Sequence, residues 1–321
     1  MSGSYAAAMS AHPTAADKRP LTVVPVPGEG AEDVLVGPDG AVYTGTEDGS
    51  VYRIRDEGRY LERVGRTGGR PLGLEWLADG RMLVCDATRG LLALDLRDGT
   101  VEVLADRVHG KPMLVCNNAA VHSSGDIWFT DSSQVFPLER WRADLVEDTG
   151  SGRLLVRRTD GSTEVLLERL RFANGVALAP DESFVAVAET AGRRVLRWWL
   201  TGPRAGTADD LVADLPGYPD NISTGSDGLI WVAVASPTSP VLEAIMRSPR
   251  PLRRLAWRLP RALQPRPAQT VRVMALALDG SVVHDLDADA SSYHMATGVR
   301  EHQGRIWVGS VEEPAVAVLD V

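Results

Sequence analysis

APDESFVAVAETAGRRVLRWWL, residues 179–200, reads as a tight turn, a β-rich run, a second turn and a second β-rich run. Pro and Asp open the first turn, where an Asp side chain folds back on its own backbone. Val, Phe and Trp fill the runs, the residue types that pack well on a pleated surface. The same order recurs in GPDGAVYTGTEDGSVYRI (37–54), ADGRMLVCDATRGLLALDL (78–96), SSGDIWFTDSS (123–133), GSDGLIWVAVAS (225–236) and EHQGRIWVGSVEEPAVAVLD (301–320). Anchored on Gly40, Gly80, Gly125, Glu182, Gly228 and Gly304, the copies lie 40, 45, 57, 46 and 76 residues apart. Six copies at this period predict an all-β fold, a six-bladed β-propeller spanning 21–321 as one domain. No unit buries both faces of its own sheet, so the units must stack around an axis. A sandwich would repeat at a shorter period, and a βαβ fold would need long amphipathic helices between the strands.

Two of the intervals are long because they hold inserts, about 134–150 and 236–267. Inserts of this size are expected as short helices over one end of the channel, forming a lid. The second carries Arg247, Arg250, Arg253, Arg254, Arg258, Arg261 and Arg266 beside Leu252, Leu255, Trp257 and Leu259, and prolines at 249, 251, 260, 265 and 267 break it up. A lid with solvated arginines is the favoured reading. Contact of 245–266 with an anionic membrane surface is the second. Ring closure should fall to LTVVPV (21–26), because an open blade edge would be left unpaired.

The rest of the composition excludes more than it selects. Of 321 residues, 44% are hydrophobic and 24% charged, ordinary for a globular chain. Acids outnumber bases 43 to 34, which argues against a nucleic-acid partner. No apolar run approaches the ~18 residues a membrane span needs. Residues 1–20 are small and polar and lack the pattern of a secretion signal, so they read as a disordered tail on a cytoplasmic protein. Cys85 and Cys116 have no metal-binding spacing and read as buried, reduced thiols.

Four motifs place oxygen-bearing side chains at or just before a first strand: GEGAEDV (28–34), VCNNAAV (115–121), RFANGVAL (171–178) and GYPDNIS (217–223). First strands line the channel of a propeller. Glu32, Asn117, Asn174 and Asp220 would therefore converge as two carboxylates and two amide oxygens. Such a set suits Ca2+, which takes six to eight oxygen ligands. It does not suit zinc, which prefers His and Cys.

NNAAV followed by WFTD, FANGVALAPDESFVAVAET (172–190), and GYPDNIS followed by GLIWVA resemble the strictosidine synthase-like group. The adipocyte plasma membrane-associated proteins belong to that group, and paraoxonase and the gluconolactonase/regucalcin enzymes are more distant relatives. The resemblance implies a six-bladed propeller with calcium in its channel, held by Glu32, Asn117, Asn174 and Asp220, with Asn221 a further ligand. Two departures stand out. Thr297 occupies the place of the glutamate used for condensation in strictosidine synthase, and Leu72 that of a paraoxonase histidine.

The expected activity is calcium-dependent hydrolysis of a lactone or an aryl ester, with a small-molecule substrate. Asp220 is the expected base or nucleophile. Glu75 and His294 are further catalytic candidates. Trp141, Tyr218, Tyr293 and His122 are expected to line the substrate site. The alternatives are a condensing or cyclising enzyme of small-molecule biosynthesis, and a non-catalytic propeller whose calcium is structural.

Overall fold

The computed structural model describes residues 18–258 and 267–321. Six antiparallel sheets of four strands form the blades, with one small hairpin (Arg107–Val108 with Lys111–Pro112) outside them. In the first five blades the strands run in chain order from the axis outward. The inner strands are Val34–Val36, Pro71–Trp76, Cys116–Val121, Ala173–Leu178, Gly217–Thr224 and, in blade six, Ala296–His302. The turns that mark the sequence repeat join these inner strands to the second strands. Each repeat is thus the second strand of a blade, with the third where the repeat is long.

Blade six is closed by the start of the chain. Thr22–Pro25 is its outermost strand and pairs with Ala315–Asp320, Thr22 opposite Val318 and Pro25 opposite Ala315. The expected role of 21–26 is what the ladder shows. Pairing starts slightly earlier than the expected tail boundary at residue 20, since the Arg19 amide donates to the Asp287 carbonyl at 2.9 Å. The rest of that tail, 1–17, lies outside the described residues.

The core is divided into layers between blades. Side chains alternate across a strand, so one strand feeds two layers. In the strand Met82–Asp86, Met82 and Val84 pack with Leu35 and Tyr43 of blade one. Leu83 and Cys85 pack instead with Cys116 and Phe129 of blade three. The same interleaving continues around the ring and returns through Trp307, Val318, Val34 and Val42 between blades six and one. Both cysteines are buried free thiols, and burial pushes Cys116 well above the usual thiol range.

Helices are few and short. The first insert forms α1 (Trp141–Glu147), and the second forms α2 (Pro240–Arg247) and α3 (Arg250–Trp257). Ser239 caps α2 by accepting the Leu242 amide at 3.3 Å, and Pro240 opens it. Leu259, Pro260, Arg261, Pro265 and Arg266 lie outside the described residues.

Candidate metal centre and roofed pocket

Five of the six inner strands share one irregularity. Their pairing shifts between Pro71 and Leu74, Cys116 and Ala119, Ala173 and Val176, Pro219 and Ile222, and Ala296 and Gly298. A bulge of this kind re-aims the side chains within it. The first bulged residue in each case is Leu72, Asn117, Asn174, Asp220 or Thr297. In blade one the ladder begins at Val34 opposite Thr44, which puts Glu32 at the same register. The six blades thus offer one ring of six equivalent positions.

Four of the six carry buried oxygens that accept nothing: Glu32 Oε2, Asn117 Oδ1, Asn174 Oδ1 and Asp220 Oδ1. The amide nitrogens are anchored on the far side. Asn117 Nδ2 donates to Ser132 Oγ at 2.9 Å, and Asn174 Nδ2 to Thr190 Oγ1 at 3.2 Å. Thr190 Oγ1 in turn donates to the Pro219 carbonyl at 2.7 Å. Of the other two positions, Thr297 Oγ1 donates to the Glu32 carbonyl at 3.1 Å, and Leu72 is fully buried against Ala87 and Val115.

The residue after each ring position forms a second layer in which polar side chains and glycines alternate: Asp33, Gly73, Asn118, Gly175, Asn221 and Gly298. A Cβ on Gly175 would meet the Ile222 amide nitrogen at 2.2 Å, so the neighbouring backbone fills that space. Asp33 Oδ2 accepts the Leu74 amide of the next blade at 2.9 Å, and Asn118 Oδ1 the Val176 amide at 2.9 Å. By the same register Asn221 should bridge to Val299. It does not: both of its amide atoms are buried without a partner.

Electrostatics agree with the geometry. Burial pushes Glu32 up to about 7 against the pull of Arg70, whose Nη2 is 3.5 Å away but outside hydrogen-bond alignment. Burial, then the Glu32 charge, drives Asp220 well above the usual carboxylate range, with the Asn174 side chain pulling the other way. Arg70 is the cation beside Glu32, and Asp220 is buried beside the Glu32 charge. An unpaired buried polar group costs roughly 1–3 kcal/mol, so five such residues at one place need compensation. An oxygen-coordinated divalent cation would supply it. The donor set fits calcium and not a His/Cys metal. Among the described residues no cluster of three or more His, Cys, Asp or Glu is placed to hold a metal, because much of this ring is amide.

Above the ring, α1, α2 and α3 roof a pocket with about 820 Å³ of free space, part of it open to solvent. Its walls are mainly apolar, with Trp141, Leu145, Leu242, Ile245, Trp257 and Met295 prominent. Asp220 is the ring residue that also lines it. Trp141 and Tyr218 lie in the wall. Tyr218 Oη donates to Glu243 Oε1 of α2 at 3.1 Å, and Arg193 pairs with Glu243 at 3.5 Å. Asp148, just past α1, takes Arg171 at 2.7 Å and Arg253 of α3 at 3.2 Å. These contacts fasten the roof.

Four other candidates are placed elsewhere. Tyr293 is fully buried between blades five and six and donates to the Val308 carbonyl at 3.1 Å, so it is core rather than rim. His294 turns to Glu313 at 2.5 Å and Glu312 at 3.4 Å and does not line the pocket. Glu75 and His122 sit at the C-terminal ends of their inner strands and line the opposite mouth, away from the ring. There Glu75 pairs with Arg300 at 3.2 Å and His122 with Glu182 at 3.2 Å. Arg70, Thr190 and Met295 escaped the sequence reading. Arg70 precedes the bulge in PLGLEW, and only the register relates it to Glu32.

Comparison with known proteins agrees with this architecture. The family profile "Strictosidine synthase" matches residues 117–203, and "Strictosidine synthase-like, N-terminal" matches 21–54. The adipocyte plasma membrane-associated protein of Rattus norvegicus is 32% identical over 90% of this chain and 85% of its own length. Strictosidine synthase-like 10 of Arabidopsis thaliana is 31% identical over 91% and 85%. Strictosidine synthase-like 13 of the same plant is 33% identical over 258 residues, and there the chain spans 61% of the relative's length. Among solved structures, a gluconolactonase from Xanthomonas campestris shares the fold at TM-score 0.68 and 16% identity, over 95% of this chain and 91% of that one. A calcium-binding regucalcin from Agrobacterium tumefaciens does so at 0.63 and 15%, over 93% and 95%. Register, bulged ring and matched relatives converge: this chain is a member of the strictosidine synthase-like family, with a six-bladed propeller fold.

Proposed function

We propose that this protein is a calcium-dependent hydrolase of a hydrophobic lactone or ester. One observation carries the reading: Asp220 belongs both to the ring of unpartnered oxygens and to the wall of the roofed pocket. Glu32, Asn117, Asn174, Asp220 and Asn221 would hold the ion. Bound there, calcium would polarise a substrate carbonyl and offset the charge that develops on its oxygen. Trp141 and Tyr218, with the leucines and Met295 of the pocket, would seat an acyl or ring group and exclude water. Asp220 would take the proton of the attacking water, or attack the carbonyl itself.

The solved gluconolactonase lends support through fold alone. The strictosidine synthase matches favour a second reading, condensation or cyclisation. Thr297, however, is not a carboxylate, and its hydroxyl is engaged with the Glu32 carbonyl. Two buried thiols and an acidic surface suit the reducing cytoplasm. Among the described residues no helix is long and apolar enough to cross a membrane.

The test is hydrolysis of a mixed panel of lactones and aryl esters by the protein as purified, after chelation, and after calcium is restored. Activity that vanishes and returns with calcium supports the hydrolase. Calcium binding without turnover overturns it, in favour of a condensing enzyme or a binding module. Product analysis with candidate amines and aldehydes then separates those two.

A further inference from the structure

We propose that the outer face of the roof docks on an anionic lipid surface. This rests on the helices themselves and stands whether or not the hydrolase reading does. The lid and membrane readings of the second insert exclude each other only if one face must serve both, and α2 and α3 have two faces. The inner face is committed: Leu242, Ile245, Ala256 and Trp257 line the pocket, Met246 is buried, and Arg253 is tied to Asp148. The outer face stays mostly exposed, with Arg254 paired to Glu147 of α1 at 3.2 Å and Arg247 to Glu243 at 3.4 Å, both guanidinium side chains still largely in water.

At 100° per residue, the exposed residues of α3 form one continuous arc. Arg250, Arg254 and Arg258 follow at steps of four along one half of it. Pro251, Leu255 and Leu252 fill the other half. Leu252 is 55% exposed and Leu255 60%. Val241 on α2 is 61% exposed, and Val135, in the neighbouring insert, 54%. These four belong to the small set of large apolar side chains the described surface leaves in water, and the two inserts over the channel mouth hold all four. Arg247 is exposed at the end of α2.

A chain of net charge −9 thus collects exposed arginines beside its exposed leucines, at one end of the propeller. Solvation alone explains the arginines and leaves the leucines unexplained. A protein partner would explain the leucines without requiring the charge. An anionic bilayer takes both, with apolar side chains entering the acyl boundary and guanidinium groups meeting phosphate. Docked this way, the roofed pocket lies next to the lipid, a route for an apolar substrate.

The experiment is co-sedimentation of the full chain with large vesicles of phosphatidylcholine alone and of phosphatidylcholine mixed with phosphatidylglycerol. The mixed vesicles should bind the protein and the neutral ones should not, and added salt should release it. Each arginine near the surface is worth about fivefold in partitioning, so Arg250→Glu with Arg258→Glu should weaken binding by roughly 25-fold or more. Leu252→Glu with Leu255→Glu should weaken it as well. All four sites are exposed, so thermal melting should stay unchanged and exclude misfolding. No binding to mixed vesicles overturns the proposal, as does binding that survives both double variants. A concentration-dependent dimer that Leu252→Glu with Leu255→Glu breaks, without vesicle binding, overturns it in favour of a second copy of the chain.

Discussion

The two mouths of the channel are made from opposite ends of the same six strands, and they are finished differently. At the C-terminal ends the charges are paired. Glu75 meets Arg300, and Glu182 takes His122 together with the Ser123 amide at 2.8 Å. Glu301 accepts Ser226 at 3.0 Å and the Gly304 amide at 2.8 Å. One buried atom there, Arg300 Nε, lacks a partner among the described residues. At the N-terminal ends, five residues of the ring and the layer behind it carry unpartnered polar atoms, and a pocket opens onto one of them. Folding alone favours the first finish. The second is tolerated when a ligand completes it. The same strand thus reads as structure at one end and as function at the other.

The sharpest way to break this contrast is at Asp220. Asp220→Asn should lower kcat/KM by roughly 10²–10⁴-fold while circular dichroism stays unchanged. A loss under threefold would remove Asp220 from the chemistry. Next is ring closure, on which the ring of donors depends. Val24 and Val26 are buried against Val316 and Val318, so deletion through Pro27 should cost about 3 kcal/mol or more in urea unfolding. Deletion of 1–17 should cost nothing measurable. Equal stability of the two truncations would show that the closing strand is dispensable.

A third comparison is calcium-dependent stability. A cation that binds only the native state adds about 2.7 kcal/mol at a hundredfold excess over Kd. Asn174→Leu should lose most of that rise, since it deletes one donor oxygen. Glu75→Gln, at the paired mouth, should keep all of it. The smallest effects belong to that mouth. Glu75→Gln should change activity less than about twofold and stability by at most about 1 kcal/mol, because the ion pair is partly solvated. His122→Ala should stay within about 0.5 kcal/mol. A large loss of activity in either variant would erase the distinction between the mouths.

How far the sequence could be read follows from what repeats carry. Turn-strand grammar recurs because every blade must bury both faces of its sheet against its neighbours, so six copies and the closing strand were visible. Glu32, Asn117, Asn174 and Asp220 stood out as polar residues at the entry to apolar strands, whereas Asn221 came only through the family resemblance. That Leu72 and Thr297 complete the same ring was invisible, because a bulge is a property of pairing and leaves no residue signature in PLGLEW or ATGVRE. Glu75 and His122 misled because they flank channel strands. Which mouth a strand end faces depends on chain direction around the axis, and both residues follow their strand entry by several positions. Tyr293 misled because an aromatic beside a histidine suits a rim as well as a core. Only packing against Trp231 and Ile306 decides it. Arg70 reaches Glu32 across a blade boundary, a contact that depends on ring closure.

Calcium titration by calorimetry, on the wild-type chain and on Asp220→Asn, tests the central claim most directly. The account predicts one site per chain in the wild type and a loss of binding of tenfold or more in the variant. No binding to the wild type, or equal binding to both, would contradict the claim that the bulged ring is a calcium site.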